Sequence, residues 1–139
     1  MKQLKILTCV DGSEESKKAI SLSGKFVNIT GASLLLVHVL DDLVSYAEVP
    51  DTAIYKERKE AGLKLLKESE KLVKAEEAAC TTKLVVGPVA PEIVRLAEKE
   101  NINVICIGTR GKTGLKRMLV GSVADRVIRY AHCPVTVVR

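Results

Sequence analysis

The sequence predicts an open, doubly wound α/β domain, in which helices cover both faces of a parallel sheet. Short, nearly continuous apolar runs alternate along the chain with longer amphipathic segments, and this order is typical of buried parallel strands joined by crossover helices. The apolar runs lack the polar alternation expected of a strand with one face in water. With 139 residues, 47% of them hydrophobic, the chain suits one domain over residues 1–139 and is too short for two.

The first half of the chain predicts two strands and two helices. The first strand covers 4–10, and the first helix starts after Asp11-Gly12-Ser13, a sequence that favours a helix N-cap. Ser23 and Gly24 are small enough to let this helix lie close to the sheet. A second strand over 33–39 and a polar loop over 41–50 follow. A long helix over 51–79 then has an inner stripe of Leu65, Leu66, Leu72 and Val73.

The second half predicts three strands and two helices. A strand over 82–86 leads to a helix with Pro91 in its first turn, where the missing N–H does no harm. A strand over 103–107 leads to a fourth helix, and the last strand covers 135–138. The apolar positions of the fourth helix are Val123, Val127, Ile128 and Ala131.

The most specific motif joins the fourth strand to the fourth helix. It runs Gly108-Thr109-Arg110-Gly111, then nine residues, then Gly121-Ser122. Glycines let backbone N–H groups approach an anion, and a helix N-terminus adds partial positive charge. The loop also carries the cations Arg110, Lys112, Lys116 and Arg117. These features predict a phosphate-binding loop.

The sequence leaves open the roles of some residues near the glycine loop. Ligands of open α/β sheets bind beyond the carboxyl ends of the strands, so we expect Asp11 to face the glycine loop. The hydroxyl of Ser122 suits a phosphate oxygen, but Ser122-Val123-Ala124-Asp125 equally fits a capping box. A Walker A loop is excluded because Cys106 occupies the position where that motif requires its first glycine. A dinucleotide fingerprint is excluded because only Gly12 follows the first strand.

Composition argues against several other classes. The net charge is +5, but one phenylalanine and three tyrosines are too few for a stacking platform, so we expect no nucleic-acid partner. No apolar run is long enough for a membrane span, and the N-terminus lacks a signal-peptide pattern, so we expect a cytoplasmic protein without a membrane partner. Cys9, Cys80, Cys106 and Cys133 lack metal-ligand spacing, and neither His38 nor His132 has a partner motif.

These motifs resemble those of the universal stress protein family, in its ATP-binding branch. The family signature is glycine, two residues, glycine, nine residues, glycine and then serine or threonine. Gly108, Gly111, Gly121 and Ser122 fill it completely. The resemblance extends over the whole chain, through the opening at 10–16, Val37-His38-Val39 and the closing segment at 133–139.

The resemblance implies a strand order of 3-2-1-4-5 and a cytoplasmic stress-response module that binds ATP, AMP or ADP, with Mg²⁺ or Mn²⁺ as candidate ions. It implies that Asp11 lies near the ribose and that Val39 and Ile107 line the adenine pocket. The full set of implied nucleotide-binding residues is Cys9, Val10, Asp11, Val39, Ile107, Gly108, Arg110, Gly111, Gly121, Ser122 and Val123.

The partners expected besides the nucleotide are a second copy of the chain and an unidentified protein. The copies would pair through the strand at 135–138, whose outer edge would otherwise be unpaired. The alternative function is a slow or partner-stimulated ATPase. The carboxylates near the loop are few, namely Asp11, Asp41 and Asp42, and none is an evident general base, so we expect no catalytic residue.

Overall fold

The computed structural model describes residues 2–41, 53–109 and 120–139. Strands and helices alternate through these ranges as β1 (Lys5–Cys9), α1 (Glu14–Thr30), β2 (Ser33–Leu40), α2 (Ala53–Ala75), β3 (Thr81–Val86), α3 (Val89–Lys99), β4 (Val104–Gly108), α4 (Ser122–Tyr130) and β5 (Val135–Val138). The strands form a five-stranded parallel sheet in the order β3-β2-β1-β4-β5. Both the predicted fold class and the strand order are therefore confirmed.

The two faces of the sheet build separate cores. Ile105 and Ile107 of β4 pack with α3 and α4 on one face. Cys106, which lies between them, belongs to the core under α1 and α2 on the other face. Because successive side chains of a strand point to opposite faces, a strand buried on both sides is mostly apolar, and a buried polar side chain in it needs a hydrogen-bond partner. This explains the uninterrupted apolar runs of the sequence.

The small residues of α1 allow close packing against two different neighbours, the sheet and α2. The Ser23 hydroxyl lies 2.6 Å from the Thr8 hydroxyl of β1 and donates to the Ala19 carbonyl, so this part of α1 contacts the sheet as predicted. A Cβ built on Gly24 would lie 3.0 Å from the Cβ of Glu76. The expectation that Gly24 faces the sheet is wrong, because Gly24 makes room for the C-terminal end of α2.

Helix α2 ends four residues earlier than the sequence predicts. Glu77 adopts a left-handed conformation with φ of 57°, the Glu77 N–H donates to the Lys74 carbonyl, and the Ala78 N–H donates to the Val73 carbonyl. These bonds form a Schellman motif, which ends a helix and satisfies its last carbonyls. The prediction failed because the left-handed position is occupied by glutamate instead of glycine. Residues 51 and 52, where the predicted helix begins, lie outside the described ranges.

Helix α4 presents a narrower apolar face than predicted. Val127 is fully buried, whereas Ile128 is 44% exposed. Consecutive helix positions are rotated by about 100° from each other, and in α4 this turn carries Ile128 away from the core that Val127 enters. The inclusion of Ile128 in the inner face is therefore wrong. Among the described residues, no helix is both long and apolar enough to cross a bilayer.

Candidate functional site

A cavity of about 420 Å³ opens at the carboxyl ends of β1, β2 and β4, where the strand order reverses around β1. Its volume lies within the range of about 300–1,000 Å³ that is usual for small-molecule sites. The predicted site residues that line it are Cys9, Val10, Asp11, Val39, Ile107, Gly108, Gly121, Ser122 and Val123. Arg110 and Gly111 lie outside the described residues, as do the loop cations Lys112, Lys116 and Arg117.

The floor of the cavity is apolar. Cys9, Val39 and Ile107 come from three adjacent strands and belong to the core under α3 and α4. Burial, with a smaller contribution from the Asp11 carboxylate, raises the pKa of the Cys9 thiol. The thiol therefore stays protonated and packs as a small apolar group instead of acting as a nucleophile. The floor offers a surface against which a flat heterocycle can pack.

Helix α1 begins at one side of the cavity with a closed set of hydrogen bonds. Oδ1 of Asp11 accepts from the Ser13 N–H at 2.8 Å and from the Ser13 hydroxyl at 2.6 Å. Ser13 is the N-cap, and its Oγ accepts from the Ser16 N–H at 3.1 Å. Glu14 and Glu15 follow in the first turn. This helix start has a side-chain cap on the Ser16 N–H and carries negative charge, so it is a poor place for a phosphate.

Helix α4 begins at the opposite side of the cavity with a different arrangement. Its N-cap is Gly121, and within the described chain no side chain caps the helix. The capping-box interpretation of Ser122 is wrong, because Ser122 is already the first residue of the helix and is exposed. Ser122 lines the cavity as the first residue of α4, where the first N–H groups of the helix begin. These groups are suited to binding an anion.

Gly108 is required by packing inside the protein. A Cβ built on Gly108 would lie 2.9 Å from the carbonyl carbon and Cβ of Glu15 and from the backbone nitrogen of Ser16. The first turn of α1 therefore crosses directly over the end of β4. The sequence predicted that this glycine lets the backbone approach a phosphate, but the close neighbour in the structure is α1.

The structure adds lining residues that the sequence did not single out as ligand contacts. His38 lies at the end of β2, Asp41 follows it directly, and Arg58 comes from α2. Val89 and Ile93 add apolar surface from α3. The Val37-His38-Val39 motif placed His38 at a strand end, which was a usable signal, whereas nothing local to Arg58 indicates that α2 reaches the cavity.

A larger groove of about 700 Å³ lies at the opposite end of the strands and is lined by residues such as Lys5, Ile6, Cys80, Lys83 and Glu100. None of the predicted site residues lines it. It runs along the amino ends of the strands, whereas ligands of open α/β sheets bind at the carboxyl ends. The smaller cavity is therefore the candidate site.

Fold and cavity together define an α/β protein with a cavity at the carboxyl ends of the strands of a parallel sheet. The chain belongs to the universal stress protein family, whose model matches residues 4–139. It is similar to universal stress protein MJ0531 of Methanocaldococcus jannaschii, with 38% identity over 97% of this chain and 81% of the relative.

Solved structures show the same likeness. The structure of MJ0577, also from Methanocaldococcus jannaschii, superposes with a TM-score of 0.83 at 32% identity, covering 99% of this chain and 96% of that one. The universal stress protein of Archaeoglobus fulgidus in complex with dAMP has the same fold, with a TM-score of 0.75 at 22% identity over 99% of this chain and 98% of that one.

Proposed function

We propose that the protein is a cytoplasmic regulatory module of the stress response that binds an adenine nucleotide and acts as a homodimer. ATP is the proposed ligand, with ADP and AMP as products or competitors. The observation that carries the proposal is the meeting of Asp11 and the start of α4, which no described side chain caps, at one apolar-floored cavity.

The proposed pose follows the chemistry of the cavity walls. The adenine ring packs on Cys9, Val39 and Ile107, the ribose hydroxyls bind the Asp11 carboxylate, and the phosphates bind the first N–H groups of α4. The Ser122 hydroxyl donates to a phosphate oxygen, and the loop with Arg110 and Gly111 completes the phosphate site. The dAMP complex of the Archaeoglobus fulgidus family member supports an adenine nucleotide as the class of ligand.

A divalent ion would depend mainly on the nucleotide. Within the described ranges, no group of three or more His, Cys, Asp or Glu side chains could hold a metal. Mg²⁺ keeps several waters and commonly binds through phosphate oxygens with one or two carboxylates. We therefore propose that Mg²⁺ or Mn²⁺, when present, arrives with the phosphates of ATP.

Titration calorimetry with ATP and GTP tests the ligand. We expect ATP to bind more tightly by about tenfold, because the apolar floor offers nothing to the polar edge of guanine. Asp41 is an acidic lining residue that could accept from guanine, so Asp41→Asn serves as the control and should leave the ratio unchanged. Equal affinities would overturn adenine specificity, and failure of both nucleotides to bind would overturn the proposed function.

The proposed dimer interface is the free edge of β5. The Ile105 N–H donates to the Pro134 carbonyl and the Thr109 N–H to the Val138 carbonyl. Because the bonding direction alternates along a strand, the N–H groups of Val135 and Val137 face away from β4. β5 contains no charged residue, whereas the other sheet edge has Lys83 within β3, 3.9 Å from Glu100. Charged residues protect edge strands from pairing, so β5 is the favoured edge.

Sedimentation equilibrium at micromolar concentration tests the dimer. We expect twice the 15.1 kDa chain mass for the wild type. Val137→Pro should give monomers, because it removes an N–H that faces the free edge while leaving the bonds to β4 intact. Circular dichroism must show that the variant is folded. A wild-type mass equal to that of one chain would end the dimer proposal.

A further inference from the structure

The peptide unit between Val10 and Asp11 is held by side chains from two other elements. Its carbonyl oxygen, on Val10, lies 2.5 Å from Nδ1 of His38, which comes from β2. A carbonyl oxygen only accepts, so Nδ1 must carry the proton and donate. The His38 ring therefore ties the end of β1 to the end of β2.

The other side of the same peptide is held from α1. The Asp11 N–H donates to Oγ of Ser16 at 3.2 Å, and the Ser16 hydroxyl donates onward to the Cys9 carbonyl at 3.1 Å. Ser16 is only 2% exposed, so water cannot readily replace these bonds. Both polar groups of the Val10–Asp11 peptide are thus bonded, one to His38 and one to Ser16.

Packing also restricts the His38 ring. A Cβ built on Gly62 of α2 would lie 2.9 Å from Cδ2 of His38. The ring is therefore confined between the backbone of α2 on one side and the Val10 carbonyl on the other. A side chain restricted in this way can fix the orientation of the peptide that it bonds.

We propose that His38 and Ser16 are positioning residues, which clamp the Val10–Asp11 peptide and so fix the point from which Asp11 binds the ribose hydroxyls. This inference rests on the proposed function, which places the ribose at Asp11. The clamp orients the backbone of Asp11, while Ser13 orients its carboxylate. A preoriented carboxylate loses little conformational freedom on binding, and that saving appears as affinity for the ribose.

The test compares ATP with 2′,3′-dideoxy-ATP, which lacks both ribose hydroxyls, by titration calorimetry. We expect wild-type protein to prefer ATP by about tenfold, as expected for a hydrogen bond to a charged group. His38→Leu and Ser16→Ala should each reduce that preference to below about twofold, with little change for the dideoxy nucleotide. His38→Asn should retain the preference, because its Nδ2 can donate from nearly the same place.

Ser69→Ala is the matched control for Ser16→Ala. Ser69 is 3% exposed and donates to the Leu65 carbonyl within α2, and it does not line the cavity. Its removal should lower stability without changing the preference for ATP. As a spectroscopic check, the long-range ¹H–¹⁵N spectrum of the free protein should show His38 protonated at Nδ1.

The outcomes separate the two levels of the proposal. If wild-type protein binds neither nucleotide, the proposed function fails and the positioning role fails with it. If wild-type protein binds both equally, or if His38→Leu weakens both to the same degree, the positioning role is overturned while nucleotide binding stands.

Discussion

Helices α1 and α4 both begin at the carboxyl ends of the strands, but the surroundings of their first N–H groups differ. The start of α1 is closed by its own residues, since Ser13 caps it and Glu14 and Glu15 stand in its first turn. At the start of α4, Gly121 occupies the N-cap, and within the described residues no side chain caps the helix. Its acidic residue, Asp125, is bonded to Arg129 at 3.0 Å, one turn further along the helix.

The difference shows that two helix N-termini at the same end of a sheet can have different roles, one in stability and the other in ligand binding. A capped, acidic helix start is stable in water without a ligand and repels phosphate. A helix start with a glycine N-cap leaves its donors to water or to an anion. On this comparison, substitutions at the start of α4 should change phosphate binding, whereas substitutions that disturb the cap or the packing of the first turn of α1 should lower stability.

The largest effect is expected for Gly121→Val. Gly121 has φ −60° and ψ 159°, which any residue can adopt, so the substitution causes no backbone strain. The valine side chain would fill space at the phosphate site, and we expect ATP affinity to fall by about a hundredfold, equivalent to two lost hydrogen bonds. Calorimetry measures the loss. Gly121→Ala should lose less ATP affinity, because alanine is as poor an N-cap as valine but has a smaller side chain. A folded valine variant with normal affinity would remove α4 from the site.

Gly108→Ala should affect stability instead. The new Cβ would lie 2.9 Å from backbone atoms of Glu15 and Ser16, and we expect the free energy of unfolding to fall by about 1–3 kcal/mol. Urea unfolding measures this change. Gly24→Ala is the comparison: its Cβ would lie 3.0 Å from the Cβ of Glu76 but no closer than 3.6 Å to the backbone of α2, and alanine favours the helix, so it should cost less than Gly108→Ala. Unchanged stability of Gly108→Ala would show that α1 can move away.

The sequence was a good guide wherever burial alone determines the structure. The strands were predicted within one residue at each end, because parallel strands covered on both faces are mostly apolar runs. The end of α2 was missed because Glu77 occupies a left-handed position that usually takes glycine. Ile128 was misplaced because the short helix α4 has little periodicity to distinguish adjacent apolar residues.

The cavity was predictable in outline and not in its internal bonds. Gly121 and Ser122 were singled out by the fixed spacing of their motif and Asp11 by its place after the first strand, and all three line the cavity. The clamp on Asp11 was missed because His38 bonds a carbonyl 28 positions away, which no local pattern encodes. The role of Gly108 was missed for a similar reason, since its close neighbour, Glu15, lies on a different element.

The smallest effects come from the same truncation at the two helix starts, Ser122→Ala and Ser13→Ala. Ser122→Ala removes an exposed hydroxyl that caps nothing, so we expect ATP affinity to fall about tenfold with no change in stability. Ser13→Ala removes the N-cap bond to the Ser16 N–H and the hydroxyl bond to Oδ1 of Asp11, so it should lower the free energy of unfolding by about 1 kcal/mol and weaken ATP binding only through Asp11. Calorimetry and urea unfolding of both variants, and of the double variant, measure the two quantities. Because the two helix starts share no hydrogen bond, we expect their effects to add. If Ser122→Ala instead lowered stability and left ATP affinity unchanged, Ser122 would be a capping residue, and the proposed difference between the starts of α1 and α4 would be wrong.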